Sequence, residues 1–363
     1  MRDFSLHLPI NSVSFGQVSV ALLREFHARG LEPSLFLISN QNDLSAQENV
    51  SEDFQKWLTS CANKSHSQHS RLNPVFKLWH LNGSLESFSE KQVLFSFHEL
   101  DRVTDTEKNI ARNNTLIFSS TYSKEVFESN GVENVQQIPL GFDKDNFYVK
   151  EQTYLKDKIV FNLTGKLEKR KNHKKAIQAW IKKYGNNKDY VLQCAISNPF
   201  LKQEDFSRLV NDILGGKNYF NVNFIGSMQK NSLYNDYLNS ANIIIGASGG
   251  EGWGLPEFQS VAMGKHSVIL NATGYKDWAN NENSVLFETK EKVPVYDGIF
   301  FHEGQTMNQG SIYTFDEDEF ITACETAVER YKSSPINENG LLLQKKFTYK
   351  NTVDKIISAM EQV

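Results

Sequence analysis

Asn242-Ile-Ile-Ile-Gly-Ala-Ser-Gly-Gly-Glu-Gly-Trp-Gly-Leu-Pro-Glu-Phe-Gln259 is the stretch on which the reading of this sequence turns. Its opening run, Asn242 to Ile245, has the short β-branched apolar character of a buried strand. From Ser248 the glycines allow the backbone to approach a ligand closely and to present its amides. A helix starting near Pro256 then aims its positive end at whatever lies in front of it. A buried strand, a glycine loop and a helix start in that order suit a diphosphate. Two dinucleotide-binding look-alikes fail on spacing, because their third glycine falls at Leu255 or at Glu257, and Gly264-Lys265 lacks the surroundings of a P-loop.

Outward from this loop, apolar runs alternate with longer helical periodicities, the pattern of βαβ units around a parallel sheet. In the first half, strands are predicted at Phe4 to Ile10, Ser34 to Ile38, Val75 to Leu81, Gln92 to Phe97, Leu116 to Ser119 and Val135 to Pro139. A Gly16 loop and a helix over Gln17 to Arg29 follow the first of them. In the second half, strands are predicted at Ile159 to Leu163, Tyr190 to Ala195, Val222 to Ile225, Asn242 to Ile245, Ser267 to Leu270 and Val285 to Phe287. Between Asp143 and Lys158 the chain turns polar and charged, which places the joint there. The expected organisation is an N-terminal Rossmann-like domain over 1–150 and a C-terminal one over 151–346. A last helix within 347–363, apolar at Val353, Ile356, Ile357 and Met360, packs back on the first domain.

At 363 residues the chain is long enough for two domains with a cleft between them. A net charge of −4, with 39 Lys and Arg against 43 Asp and Glu, argues against a surface built to hold polyanions. The three cysteines, Cys61, Cys194 and Cys324, are scattered without a Cys-x-x-Cys pair, as reduced thiols would be. No signal segment or membrane span can be drawn, so a soluble, cytoplasmic protein is expected.

A second chemical segment, Gly165-Lys166-Leu167-Glu168-Lys169-Arg170-Lys171-Asn172-His173, follows the first strand of the second half. Lys166 and Lys171, five residues apart at the mouth of a sheet, can close on two sides of a phosphate pair. Read alone, the segment could equally be a solvated basic turn.

The glycine loop resembles the signature of retaining GT-B glycosyltransferases of family 4, E-G-F-G-L-P-x-x-E followed by A-x-G-x-P-V-I. Here it stands as Glu251-Gly252-Trp253-Gly254-Leu255-Pro256-Glu257-Phe258-Gln259, then Ala262 to Ile269. The basic segment matches the family's G-R-L-x-x-x-K-G, with Lys166 in the Arg position. Ile138-Pro139-Leu140-Gly141-Phe142-Asp143 with Phe147 resembles its P-x-G-v-D-x-x-x-F stretch. His98, at the end of a predicted strand, stands where the family carries a histidine facing the donor sugar, and the matches keep the family's order from about residue 5 to about residue 300.

The resemblance implies an α/β GT-B fold of two Rossmann-like parallel-sheet domains facing across a cleft. It implies a metal-independent transfer of a sugar, with retention, from a UDP- or GDP-linked donor to a hydroxyl acceptor such as a glycan or lipid-linked glycan. Glu251 and His98 would position the donor sugar, and Lys166 and Lys171 would neutralise the departing diphosphate. Gly16, Gly165, Gly252, Trp253, Gly254 and Leu255 would line the donor site, with Trp253 either facing the sugar or filling the place usually taken by Phe. Gln259 replaces the family's second, ribose-binding glutamate. An amide can still bond a ribose diol, but holds it less strongly than a carboxylate. No cofactor and no metal is expected.

Two other readings stay open: transfer to a modified base in DNA, which the acidic composition weakens, and a catalytically impaired nucleotide-sugar-binding protein, which Gln259 and Lys166 motivate. Three decoys carry little weight. Cys61 with His66 and His69 lacks a fourth zinc ligand and reads as a polar loop. Asp143-Lys144-Asp145 and Asp316-Glu317-Asp318 do not end a predicted sheet strand. The donor base, the sugar and the acceptor would be chosen by loops without motifs, such as 40–74 and 290–311.

Overall fold

The computed structural model describes residues 3–151 and 154–363. Its strands are β1 (Ser5–Ile10), β2 (Ser34–Asn42), β3 (Val75–Leu78), β4 (Gln92–Ser96), β5 (Thr115–Phe118), β6 (Val135–Gln137), β7 (Ile159–Lys166), β8 (Tyr190–Ser197), β9 (Val222–Phe224), β10 (Ile243–Gly246), β11 (His266–Leu270), β12 (Val285–Phe287), β13 (Thr289–Pro294) and β14 (Ser311–Phe315). Two six-stranded sheets form, in the orders β2-β1-β3-β4-β5-β6 and β12-β11-β10-β7-β8-β9. All pairings in both are parallel. This is the α/β architecture of two Rossmann-like parallel-sheet domains.

Parallel strands need helical crossovers on both faces, so their side chains are buried on both sides. β1, β3, β4, β5, β10 and β11 are buried at every position, their apolar residues broken only by single buried polar ones such as His7, Lys77 and Gln92. In the second sheet the chain starts in the middle, at β7, and β10 returns to its other side. The crevice at such a reversal, beyond the carboxyl ends of the strands, is where open α/β sheets take ligands. The basic segment leaves β7 and the glycine loop leaves β10, so topology brings together two segments that are far apart in the chain.

The final helix, Tyr349–Glu361, returns to the first domain. Thr348 caps it, its Oγ1 accepting from Asn351 N at 3.2 Å, and Val353, Ile356 and Met360 enter the same apolar cluster as Leu22 and Phe26. Each such buried side chain contributes about 1.5–3 kcal/mol. Arg29 Nη1 donates to Asp354 Oδ1 at 2.6 Å at the rim. The chain crosses itself tightly here: a Cβ on Gly141 would stand 2.2 Å from Tyr349 N.

Four segments differ from expectation. The first helix begins at Ser14, not Gln17, so Gly16 sits in its opening turn. β3 stops at Leu78, and a 3-10 turn takes Leu81–Leu85. Within 40–74 a helix runs Glu52–Ser67, burying Phe54, Trp57, Leu58 and Cys61, a helical stripe masked by polar neighbours. Within 290–311, β13 and the start of β14 form an antiparallel hairpin. β13 (Thr-Lys-Glu-Lys-Val-Pro) carries almost no apolar alternation and is largely exposed, so the usual strand signal is missing.

Candidate functional site

At the crevice, Lys171 Nζ meets Glu251 Oε1 at 2.5 Å, and Arg170 Nη1 lies 3.2 Å from the same oxygen. Arg170 also donates to Glu168 Oε1 at 2.6 Å and to the carbonyl of Gly250, while Glu99 reaches it from the first domain at 3.8 Å. Burial alone would raise the Glu251 carboxyl, but Lys171 and Arg170 outweigh it and hold it at about 2. Burial pulls the Lys171 ammonium down, and Glu251 more than restores it. Glu99 is raised by burial, against the pull of Arg170. Below Lys171, burial and then the lysine itself push His173 down to about 3, which keeps its ring neutral.

Gly165 makes room for this pair. Its φ is +125°, and a Cβ there would press on Lys171 Cε at 3.3 Å. The glycine loop is tied down on several sides. Gly249 N donates to Arg170 O at 2.9 Å, Tyr313 N to Gly249 O at 3.0 Å, Glu251 N to Thr273 Oγ1 at 3.0 Å and Gly274 N to Glu251 O at 3.0 Å. The first domain closes on the same loop: Ser119 Oγ donates to Gly252 O at 2.7 Å, and a Cβ on Gly252 would stand 2.9 Å from Phe97 Cβ. Thr121 Oγ1 donates to Asp277 at 2.6 Å beside it.

Past these ties, the amides of Gly252, Trp253, Gly254 and Leu255 make no hydrogen bond among the described residues. They open the helix Leu255–Ala262, whose N-cap Gly254 has φ +80°. Unpaired amides at a helix start form an anion site, because the helix dipole and the N–H groups point the same way.

The sequence-nominated residues fall into three groups. Lys171, Glu251, Gly165, Gly252, Gly254 and the Leu255 amide meet around the crevice. Lys166 ends β7, exposed, with Nζ 5.2 Å from the centre of the Phe300 ring. It stands apart from the Lys171–Glu251 pair but close enough to His80 of the first domain to add to the effect of burial in lowering that ring. Gly16 approaches Asn11, whose carbonyl would meet a Cβ at 2.2 Å.

The third group, Trp253, His98 and Gln259, is buried. The Trp253 indole is buried between Phe258 and Phe347, each 5.4 Å away, so it fills core and leaves only its backbone for a ligand. His98 packs its ring against Phe127 at 5.0 Å and Phe118 at 6.2 Å, and burial lowers it. Its neighbour Phe97, just past β4, packs against Gly252 of the glycine loop. Gln259 is buried with Oε1 unpartnered.

Sequence reasoning gave no role to Arg170, Glu168, Glu99 or Glu257, although all four lie inside or beside the quoted segments. Whether a charged residue beside a nominated one faces the crevice or solvent depends on the fold and is invisible before folding: Arg170 turns onto the same Glu251 oxygen as its neighbour Lys171. The decoy groups are tied elsewhere: His69 bonds Ser5 Oγ and Phe88 O, Asp143 bonds Asn146, and Asp316 caps a helix. Burial pushes the Cys61 thiol up to about 12.

The chain is similar in fold to several solved proteins. Sucrose-phosphate synthase from Thermosynechococcus elongatus shares 14% identity, with 99% of each chain covered and a TM-score of 0.67. A glycosyltransferase from Rickettsia africae ESF-5 shares 12%, covering 100% of this chain and 99% of its own, at a TM-score of 0.68. Anabaena HepE, solved with UDP-glucose, shares 13%, covering 99% of this chain and 100% of its own, at 0.69. No curated protein sequence matches. The family model "Glycosyl transferases group 1" matches residues 143–294, a span that holds Lys171, Glu251 and the amides after it. Residues 143–294 thus resemble a group 1 glycosyltransferase domain, in a chain that shares the two-domain fold of these solved proteins.

Proposed function

We propose that the chain is a glycosyltransferase that moves a sugar, with retention of configuration and without a metal, from a nucleotide-diphosphate sugar to a hydroxyl acceptor, most simply a carbohydrate. The observation that carries this reading is the set of unpaired amides from Gly252 to Leu255, on the same loop as Glu251, which the buried cations Lys171 and Arg170 hold. Breaking a glycosyl–phosphate bond leaves negative charge on the departing diphosphate, and a catalyst gains by stabilising that charge where it develops. Fixed amides and lysines can supply this without a divalent ion. Glu251 would then turn towards the donor sugar, with Lys166 at the outer edge. The domain group supports the transferase class, and the UDP-glucose held by the similar Anabaena protein favours uridine as the first base to try.

A thermal-shift screen against UDP, GDP and their sugar conjugates tests the reading. A ligand present at about 100 times its dissociation constant adds about 2.7 kcal/mol to the folded state. A rise in Tm with one nucleotide family is expected; no rise with any of them would remove the proposal. Binding without turnover across a broad acceptor panel would favour the impaired-binder alternative.

A further inference from the structure

The carboxyl of Glu257 lies beside the unpaired amides that open its helix. Glu257 is the third residue of the helix Leu255–Ala262, directly behind the unpaired amides. Its Oε2 is buried with no hydrogen bond of good geometry; the Tyr275 hydroxyl, also without one, stands close enough to lower the Glu257 carboxyl, and a Cβ on Gly254 would lie 3.3 Å from that oxygen. Lys171 and Glu251 face it from the two loops, Tyr275 from the turn Thr273–Asp277, and Tyr234 and Tyr237 from the helix Asn231–Ser240. Tyr237 Oη donates instead to Leu163 O or Gln193 O, each at 3.1 Å, and Tyr234 Oη pairs with Thr164 Oγ1 at 3.2 Å. The cation facing Glu257, Lys171, is already held by Glu251 at 2.5 Å. Glu257 is not a slipped copy of the ribose-binding glutamate, because residue 259 lies two positions on, about 200° around the helix.

We propose that Glu257 is a proton-operated gate on the donor phosphates. Ionised, it competes with a diphosphate for Lys171 and for the opening amides of its helix. Protonated, it yields both and presents an O–H that a phosphate oxygen can accept. The inference rests on the reading of this loop as the donor site. Donor binding to the ionised form then takes up one proton, which forms the carboxyl O–H, and no other bond changes.

Burial raises the carboxyl, Lys171 lowers it and Glu251 raises it again, to about 7, so both forms are present at neutral pH. A bound diphosphate disfavours the carboxylate further. Donor affinity therefore falls as pH rises through about 7, by about tenfold between about pH 6 and pH 8.

Calorimetric titration of the full chain with UDP-glucose and GDP-glucose, whose phosphates carry no group titrating near neutrality, tests this at both pH values and in two buffers of different ionisation heat. The expected result is about tenfold weaker binding at the higher pH, with close to one proton taken up there. Glu257→Gln should bind equally at both and take up none. A wild-type affinity independent of pH, or a pH dependence retained in Glu257→Gln, would overturn the gate and leave the donor site standing. No binding of either sugar nucleotide, or of UDP or GDP, would remove the donor-site reading and the gate with it. Proton uptake by the wild-type protein decides the matter even if the variant misfolds.

Discussion

Replacing Glu251 by Gln tests whether the Lys171–Glu251 pair holds the crevice together. The carboxyl sits at about 2 where an unperturbed glutamate titrates at 4.5, a difference that corresponds to about 3 kcal/mol of stability at neutral pH. A second route gives a similar figure: removing one partner of a buried ion pair costs roughly 3–5 kcal/mol, because the other charge is left uncompensated. The lower end applies here. Arg170 lies 3.2 Å from Glu251 and keeps its own bond to Glu168, and Glu257 can ionise to balance Lys171. The sign follows from a lowered folded-state value. The contribution is present above about 4.5 and is lost as the pH falls towards about 2. With a urea dependence of about 3 kcal/mol per molar, the variant's midpoint at pH about 7 should fall by about 1 M. At about pH 2 to 3 the two proteins should approach one another. Equal midpoints at neutral pH, or a gap that persists in acid, would refute the electrostatic account.

Gly254→Ala places a Cβ 2.2 Å from Tyr275 Cε1 at a φ of +80°, so a loss of about 2 kcal/mol or more and a weakened nucleotide-induced rise in Tm are expected; an unchanged Tm would show that the turn adapts freely. Trp253→Phe should lower stability by about 1–2 kcal/mol through a small cavity beside Phe258 and Phe347 while leaving nucleotide-sugar affinity unaltered. Weakened affinity at constant Tm would instead return the indole to the sugar pocket. Asp101 accepts from Lys292 Nζ at 2.9 Å and from Ser311 N at 2.7 Å, which ties the β13–β14 hairpin to the first domain. In Asp101→Asn, faster proteolytic cleavage within 296–309 is expected with under about 1 kcal/mol of global change, since the ion pair is partly exposed; unchanged cleavage would mean that Leu100, packed on Val295, Phe301 and Ile312, suffices.

Much of the fold was legible because parallel strands buried on both faces write themselves as apolar runs, and strands with that signature came within a few residues of their observed limits. β12 (Val285–Phe287) matches its predicted span, while β10 differs by one residue at each end. β13 was missed because a polar edge strand has no such run to read. The helix Glu52–Ser67 was missed because its buried stripe is embedded among Ser, Asn, Lys and His. At the site, motif spacing nominated Lys171 and Glu251. Spacing carried no sign of the partners Arg170, Glu168 and Glu99, because charged residues beside a motif look the same whether they face solvent or the crevice.

The order of strands, loops and helices in this protein, and the glycines that a tight loop demands, follow from local chemistry: burial pattern and backbone freedom act over a few residues, so a linear reading recovers them. Which side chains converge was decided only by tertiary structure. The return of β10 to the far side of β7 sets Glu251 against Lys171 from eighty positions away, packs the Trp253 indole between Phe258 and Phe347, and leaves Glu257 behind four unpaired amides. Such outcomes depend on long-range placement and on the orientation of each residue within its element, and neither is encoded in the neighbours along the chain.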